Sequence, residues 1–281
     1  MKIKIIGIFI GILIISSIVL PVAGITNKEN TMKGAFDTDV PTWKVGNQWT
    51  YHFIEEKTVD AIYRLTGELT FKCVDDSDGS YVLEAKTKPQ GNFDLGGFGL
   101  KTTTMTTLSM MIQMRQSDLA LEKYQEQLKG FLLVTLGSIT LPIPLQVIAN
   151  IYVEFDPPWA IIPFPLFDGK NGMLDDCEFL HIQNYMHLFW GLIPLIGPAD
   201  YSFPITAVPY TCSEEQITVQ GETYDVFNVT AEWMEGSRFV SYYCEEVGNV
   251  VKEVIYLAGP GGKITHSLTL ELTDWSLIPI N

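Results

Sequence analysis

Alternation of apolar and polar residues with a period of two, broken by glycine-bearing turns, constrains this chain more than any other feature. In Gly46-Asn47-Gln48-Trp49-Thr50-Tyr51-His52-Phe53 a Gly-Asn turn leads straight into aromatics at every second position. Successive side chains of a strand point to opposite faces, so Trp49, Tyr51 and Phe53 share one face that must be covered. Residues 62–74 and 81–87 alternate in the same way around Asp75-Asp76-Ser77-Asp78-Gly79, and Asp-Gly between two such runs predicts a hairpin. Residues 101–114 mix threonine and methionine with period two.

Alternation resumes after Pro209. Residues 223–233 alternate, 239–244 and 250–257 form a hairpin about Gly248-Asn249, and 264–275 end the pattern after Gly259-Pro260-Gly261-Gly262. Val250, Val254 and Tyr256 occupy one face of their strand, and Val251, Ile255 and Leu257 the other. Such a strand is covered on both sides. One segment reads differently: LALEKYQEQLK (119–129) has high helix propensity, helical spacing of Leu121, Tyr124 and Leu128, and a Ser117-Asp118 cap. Propensity predicts a helix there, and a return strand after a turn at Ser117-Asp118 is the alternative.

Residues 131–209 change character, with dense proline, aromatics and leucine and little charge outside Asp175-Asp176-Cys177-Glu178. DPPWAIIPFPLFDG (156–169) and MHLFWGLIPLIGPADY (186–201) stand out, and the second is too short and proline-broken to span a bilayer. Each is core, a covering lid over an apolar groove, or an interfacial contact. A weak repeat accompanies this. VGNQW (45–49) and FDGKNG (167–172) each follow a Trp/Pro-rich approach, and FKC…DGSYVLEA (71–85) parallels YTC…GETYDVFNV (210–229). Duplication and chance similarity of strand-turn-strand units both account for it. The expected division is a signal peptide or anchor (1–24), a linker (25–40), a first β module (41–130), an insert or lid (131–209) and a second β module (210–281), with 41–281 one continuous domain.

The compartment follows from the start of the chain. Lys2 and Lys4 precede an uncharged, isoleucine-rich run over 5–20, and Pro21-Val22-Ala23-Gly24 ends it with small residues. That layout predicts a cleaved export signal, with an uncleaved N-terminal anchor as the alternative. The protein is therefore expected outside the cytoplasm, secreted or attached to the outer face of the cell membrane. Removing 1–24 takes away two lysines and no acids, so the formal charge goes from −15 to −17 (16 basic less 33 acidic residues). So acidic a surface excludes nucleic acid and anionic membrane surfaces as partners. Membrane contact is expected only through an uncleaved N-terminal segment. Cys73, Cys177, Cys212 and Cys244 all lie in the exported part, where an even count predicts two disulfides in one of three pairings, against buried free thiols.

No chemical motif survives inspection. Asp76-x-Asp78-Gly79 resembles a calcium loop, but Val74 and Ala85 stand where the first and last ligands belong. Gly262-Lys263-Ile264 lacks the phosphate-cradling pattern, and no Gly-x-Ser-x-Gly elbow occurs. His52, His181, His187 and His266 have no zinc spacing, and Asp175, Asp176, Glu178 and His181 read as an ordinary acidic corner. Asn228-Val229-Thr230 is a glycosylation sequon or simply part of a strand. No catalytic residue, metal or cofactor is expected, and the chain is read as non-enzymatic.

QGETYDVFNVTAEWMEGSRFVSYYCEEVGNVVKEV (220–254), VPTWKVGNQWTY (40–51) and QSDLALEKY (116–124) resemble segments of exported β-rich proteins of unknown function common in archaea. These are similar in arrangement to half-barrel carriers of the lipoprotein-carrier (LolA/LolB-like) class. The resemblance implies a large curved antiparallel sheet, half-barrel or two-sheet, with a concave apolar face and little helix, and it makes 119–129 part of a hairpin. Cys244-Glu245 departs from the Ser-Pro expected there, and residues 131–209 have no counterpart. The expected function is an exported binding protein holding an apolar small molecule or lipid, with the proline/aromatic segment as its lid. Trp159, Phe164, Phe167, Phe189 and Trp190 are the candidate ligand contacts; ordinary core between two sheets is the alternative for them. A cell-envelope structural or protein-interaction module, with an envelope protein as partner, is the other functional reading, and a hydrolase the least supported.

Overall fold

The computed structural model describes residues 38–58, 62–94, 100–136, 139–188, 193–199, 203–259 and 261–279. All regular structure among them is β. The strands are β1 Gln48–Lys57, β2 Ile62–Asp75, β3 Ser80–Thr87, β4 Gln90–Asp94, β5 Leu100–Arg115, β6 Leu121–Leu136, β7 Ile139–Trp159 and β8 Asn171–Leu174. They continue as β9 Cys177–Leu188, β10 Ile193–Ala199, β11 Phe203–Ile205, β12 Val208–Val219, β13 Glu222–Glu232, β14 Arg238–Cys244, β15 Asn249–Ala258 and β16 Ile264–Ser276. They form one antiparallel sheet in the order β10-β9-β7-β6-β5-β3-β2-β1-β16-β15-β14-β13-β12-β8, with β4 against β2 and β5, and β11 against β9. The signal-peptide segment and residues 25–37 lie outside the described residues.

The sheet is strongly curved. The Trp159 ring at the end of β7 meets the Phe239 ring of β14 at 6.5 Å. Yet β6, β5, β3, β2, β1, β16 and β15 lie between those strands. In a flat sheet, with strands ~4.8 Å apart, the two would be roughly 40 Å distant. Among the described residues the sheet is not hydrogen-bonded into a closed barrel, but its ends meet at one corner. β8 pairs with β12 as Leu174↔Val208, and β9 pairs with β11 as Cys177↔Ile205. One antiparallel register runs through both ladders, so Asp175-Asp176 and Thr206-Ala207 carry a single bent ribbon from one end of the sheet to the other.

The concave face holds the core. β1 alternates as its sequence demands, with Trp49, Tyr51, Phe53 and Glu55 buried. Leu268, Leu270 and Leu272 of β16 and Val251, Glu253 and Ile255 of β15 are buried beside them. The chain leaving β7 then crosses this concavity. Trp159, Ala160, Ile161, Ile162, Phe164 and Leu166 are all buried, and Leu166 pairs with Thr38. Residues 159–166 of the proline/aromatic segment thus fill the concave side, whereas most of 131–209 supplies strands.

Two expectations need correction or completion. Helix propensity over 119–129 is overridden: β6 begins at Leu121 and pairs along its length with β5 and β7. Asp118 makes the turn, accepting from the Ala120 N–H at 3.1 Å and pairing with Arg115, and Leu119 takes a left-handed φ of 54°. Two ladders and a buried Leu121 and Tyr124 outweigh a few tenths of a kcal/mol of propensity per residue. The two repeated motifs, for their part, share one hydrogen-bond pattern. Gly46 N donates to Cys73 O (2.8 Å) and Cys73 N to Asn47 O (2.9 Å); Gly169 N donates to Cys212 O (3.0 Å) and Cys212 N to Lys170 O (2.7 Å). Gly46 and Gly169 both need positive φ, 102° and 77°, to make these corners.

Candidate functional site

The most unusual chemistry of the molecule lies on the concave face, where acids are buried among leucines and aromatics. Glu253 is 1% exposed and stands directly across the β14–β15 ladder from buried Ser241. Among the described residues neither Glu253 oxygen meets a donor at hydrogen-bond geometry. Burial drives its pKa well above the ordinary value, and the nearby Ser241 hydroxyl only tempers that shift. Glu253 is accordingly a neutral acid well above pH 4.5. Burial raises the Tyr51 phenol, Glu253 nearby adds to that shift, and the Tyr51 hydroxyl donates to Val250 O at 2.9 Å.

Further along the same face, His266 Nε2 lies 2.6 Å from Glu55 Oε1, with both side chains buried. Burial pushes the imidazole down to about 4, and the Lys57 cation pushes it the same way. At neutral pH the contact is therefore a hydrogen bond to a neutral imidazole. On β6, buried Glu126 accepts from the Tyr124 hydroxyl at 2.8 Å, and burial raises it well above the usual carboxylate range.

The crossing segment covers part of this face. Phe239, Ser241 and Tyr243 alternate on β14 and so face the same way. Trp159 meets Phe239 edge-on, and Phe164 meets Tyr243 edge-on at 5.0 Å. Lys170 Nζ anchors the crossing by donating to Pro163 O (2.5 Å) and Pro165 O (2.7 Å), and it sits 5.5 Å from the Phe167 ring centroid.

Of the five candidate contacts, Trp159 and Phe164 are thus brought together as buried members of the crossing, 6% and 1% exposed. Phe167 is only half-buried, at the turn before β8. Phe189 and Trp190 lie outside the described residues. Glu253, Ser241, Glu55 and His266 were missed as site residues. The signal for Glu253 was available, since it occupies the position between Val251 and Ile255 on an otherwise apolar strand face.

The expected disulfides are corrected. Cys73, Cys177, Cys212 and Cys244 are all free and buried. They stand on β2, β9, β12 and β14, no two of which are ladder neighbours. Even Cys212 and Cys244, with only β13 between them, are separated by ~10 Å of strand spacing, beyond the roughly 7 Å that a disulfide allows. Burial raises Cys73 and Cys212 to about 11 and Cys177 to about 12, so the thiolate is scarce at neutral pH. The native protein is expected to leave all four thiols unreacted with a water-soluble aromatic disulfide reagent, and the urea-unfolded, unreduced protein to titrate four. Fewer than four on unfolding would contradict the free-thiol assignment.

At the β12–β13 end of the sheet Glu214, Glu215, Asp225, Glu245 and Glu246 line a cleft of about 790 Å³ with Tyr224 and Phe227. Its carboxylates are partly occupied: Gln216 donates to Asp225 at 3.0 Å and Asn228 to Glu215 at 2.6 Å. No group of three metal-ligating side chains occurs among the described residues. The Asp175-Asp176 corner is the crossing between β8 and β9.

The fold and this face together define an all-β, open-sheet protein with a covered concave side. No family model matches the chain, and no curated protein matches it. Among solved structures it is similar to a β-barrel-like protein, a domain of unknown function (DUF1849) from Brucella abortus. The identity is 9%, the TM-score 0.33, and the match covers 85% of this chain and 100% of that one.

Proposed function

We propose that this protein is exported and acts without catalysis, holding an apolar, lipid-like ligand in the concavity of its sheet. One observation carries the reading: adjoining stretches of four neighbouring strands are uncharged. Residues 130–153, on β6 and β7, include no Asp, Glu, Lys or Arg, and neither do residues 179–199, on β9 and β10. In a chain with 18% charged residues, these stretches pair with one another across the neighbouring strands β6-β7-β9-β10. Water-facing sheet normally carries a polar face, so an uncharged region of this kind supports an apolar occupant. The similarity to half-barrel carriers noted in the sequence points the same way. The test is mass spectrometry of lipid extracts from the exported protein purified without detergent. A stoichiometric amphiphile is expected. Its absence, with no uptake of the apolar dye N-phenyl-1-naphthylamine, would overturn the reading, and envelope-bound oligomers in its place would favour a structural role.

A further inference from the structure

The crossing segment leaves a buried acid unserved. It passes over β14 between its contacts with Phe239 and Tyr243, so residues 160–163 overlie the stretch holding Ser241. Glu253 lies across the ladder from Ser241, 1% exposed. Residues 160–166 are Ala-Ile-Ile-Pro-Phe-Pro-Leu and offer no polar side chain. Among the described residues the Ser241 hydroxyl stands near this acid but short of hydrogen-bond geometry, and such an acid under an apolar cover destabilises the fold. Folding alone gives no reason to keep it, because leucine would fill the same space.

The cover is also separable from the sheet. Pro163 and Pro165 lack an N–H, and Phe164 N donates within the segment, to Ile162 O at 3.1 Å. Its anchors include the Leu121–Trp159 pair that ends the β6–β7 ladder, the Lys170 ammonium, the Thr38–Leu166 bridge and ring contacts. Moving it would therefore break no strand ladder from β12 to β16.

We propose that Ser241 and Glu253 form the polar end of the ligand site, and that residues 159–166 occupy this site in the ligand-free protein. The ligand is an amphiphile whose apolar body replaces the crossing segment and whose head donates a hydrogen bond to Glu253. This rests on the apolar-ligand reading above and adds the head-group chemistry and its residues.

The probes are dodecylamine and 1-dodecanol, with dodecane-1-sulfonate as a control lacking a donor, each below its aggregation concentration and read by calorimetry. The amine and the alcohol are expected to bind the wild type, and the sulfonate at least tenfold more weakly. Glu253→Leu should weaken the amine and the alcohol on the order of tenfold, the loss of one strong hydrogen bond. Glu253→Gln, which keeps an acceptor but cannot ionise against the ammonium as the carboxyl does on binding it, should retain the alcohol and lose the amine. Equal affinity of the amine for wild type and both variants would overturn the proposal while leaving the apolar-ligand reading intact. Binding of the sulfonate as tightly as the alcohol would do the same. Failure of every probe and of the apolar dye would overturn both.

Discussion

Replacing Trp49 with alanine is expected to cost about 4 kcal/mol of folding stability, measured by urea unfolding. Trp49 is 0% exposed and its indole N–H donates to Val247 O at 3.0 Å. Trp43, 1% exposed, donates to Gly248 O at 2.8 Å, and the two rings lie 5.0 Å apart. Both indoles thus reach past β16 to hold the Val247-Gly248 corner that joins β14 to β15. That corner is buried, so its carbonyls need partners from the protein. Alanine removes the ring, opens a cavity and orphans a carbonyl together. Trp49→Phe keeps most of the area and loses the hydrogen bond, so it should cost only about 1–2 kcal/mol. If the two variants were equally mild, the indoles would not be the clamp that holds this corner.

Glu253→Leu is expected to stabilise the protein by about 2 kcal/mol at pH 4, where it removes a neutral buried acid short of a donor, and by more at pH 8. The sign follows from the folded-state pKa, which burial raises well above 4.5, the ordinary value. Below pH 4.5 the acid is protonated in both the folded and the unfolded chain and exerts no pH dependence. As pH rises, the unfolded chain ionises while the folded one resists, so stability falls toward the raised folded pKa. Leucine removes that slope. Gaining stability at the expense of binding is the pattern expected of a residue kept for function. Urea unfolding from pH 4 to pH 8 checks it; parallel wild-type and variant curves would show that Glu253 ionises freely in the folded state.

Much of the fold was legible because local and tertiary preferences agree. The Asp78-Gly79 hairpin, the β14–β15 corner at Gly248-Asn249 and the alternation of β1 all stand where the sequence puts them. Over 119–129 the hairpin that the resemblance implies is the structure found, and the helix that propensity predicts is not, because propensity counts no partners and β6 has two. The prolines of the middle segment concealed strands for another physical reason. Pro194 and Pro198 lie on β10, an end of the sheet, and Pro142 and Pro144 lie on β7 beyond Val147, the last β7 residue paired with β9 in that direction. Proline is tolerated at such edges and blunts further pairing. The cysteine count misled because parity carries no distance, and these four thiols are spread over separate strands. The Glu253–Ser241 pair is set by the β14–β15 register, which includes a shift between Tyr242 and Tyr243. A sequence shows an acid on an apolar strand; only register and the crossing segment show what stands against it.

Whether residues 159–166 hold the place of a ligand is tested most directly by ring-to-ring nuclear Overhauser contacts. In the free protein, cross-peaks are expected between Trp159 and Phe239 and between Phe164 and Tyr243, the pairs at 6.5 and 5.0 Å. On saturation with dodecylamine both should vanish, while contacts between Trp43 and Trp49 persist. Retention of the Trp159–Phe239 and Phe164–Tyr243 contacts in the dodecylamine-bound protein would contradict the account.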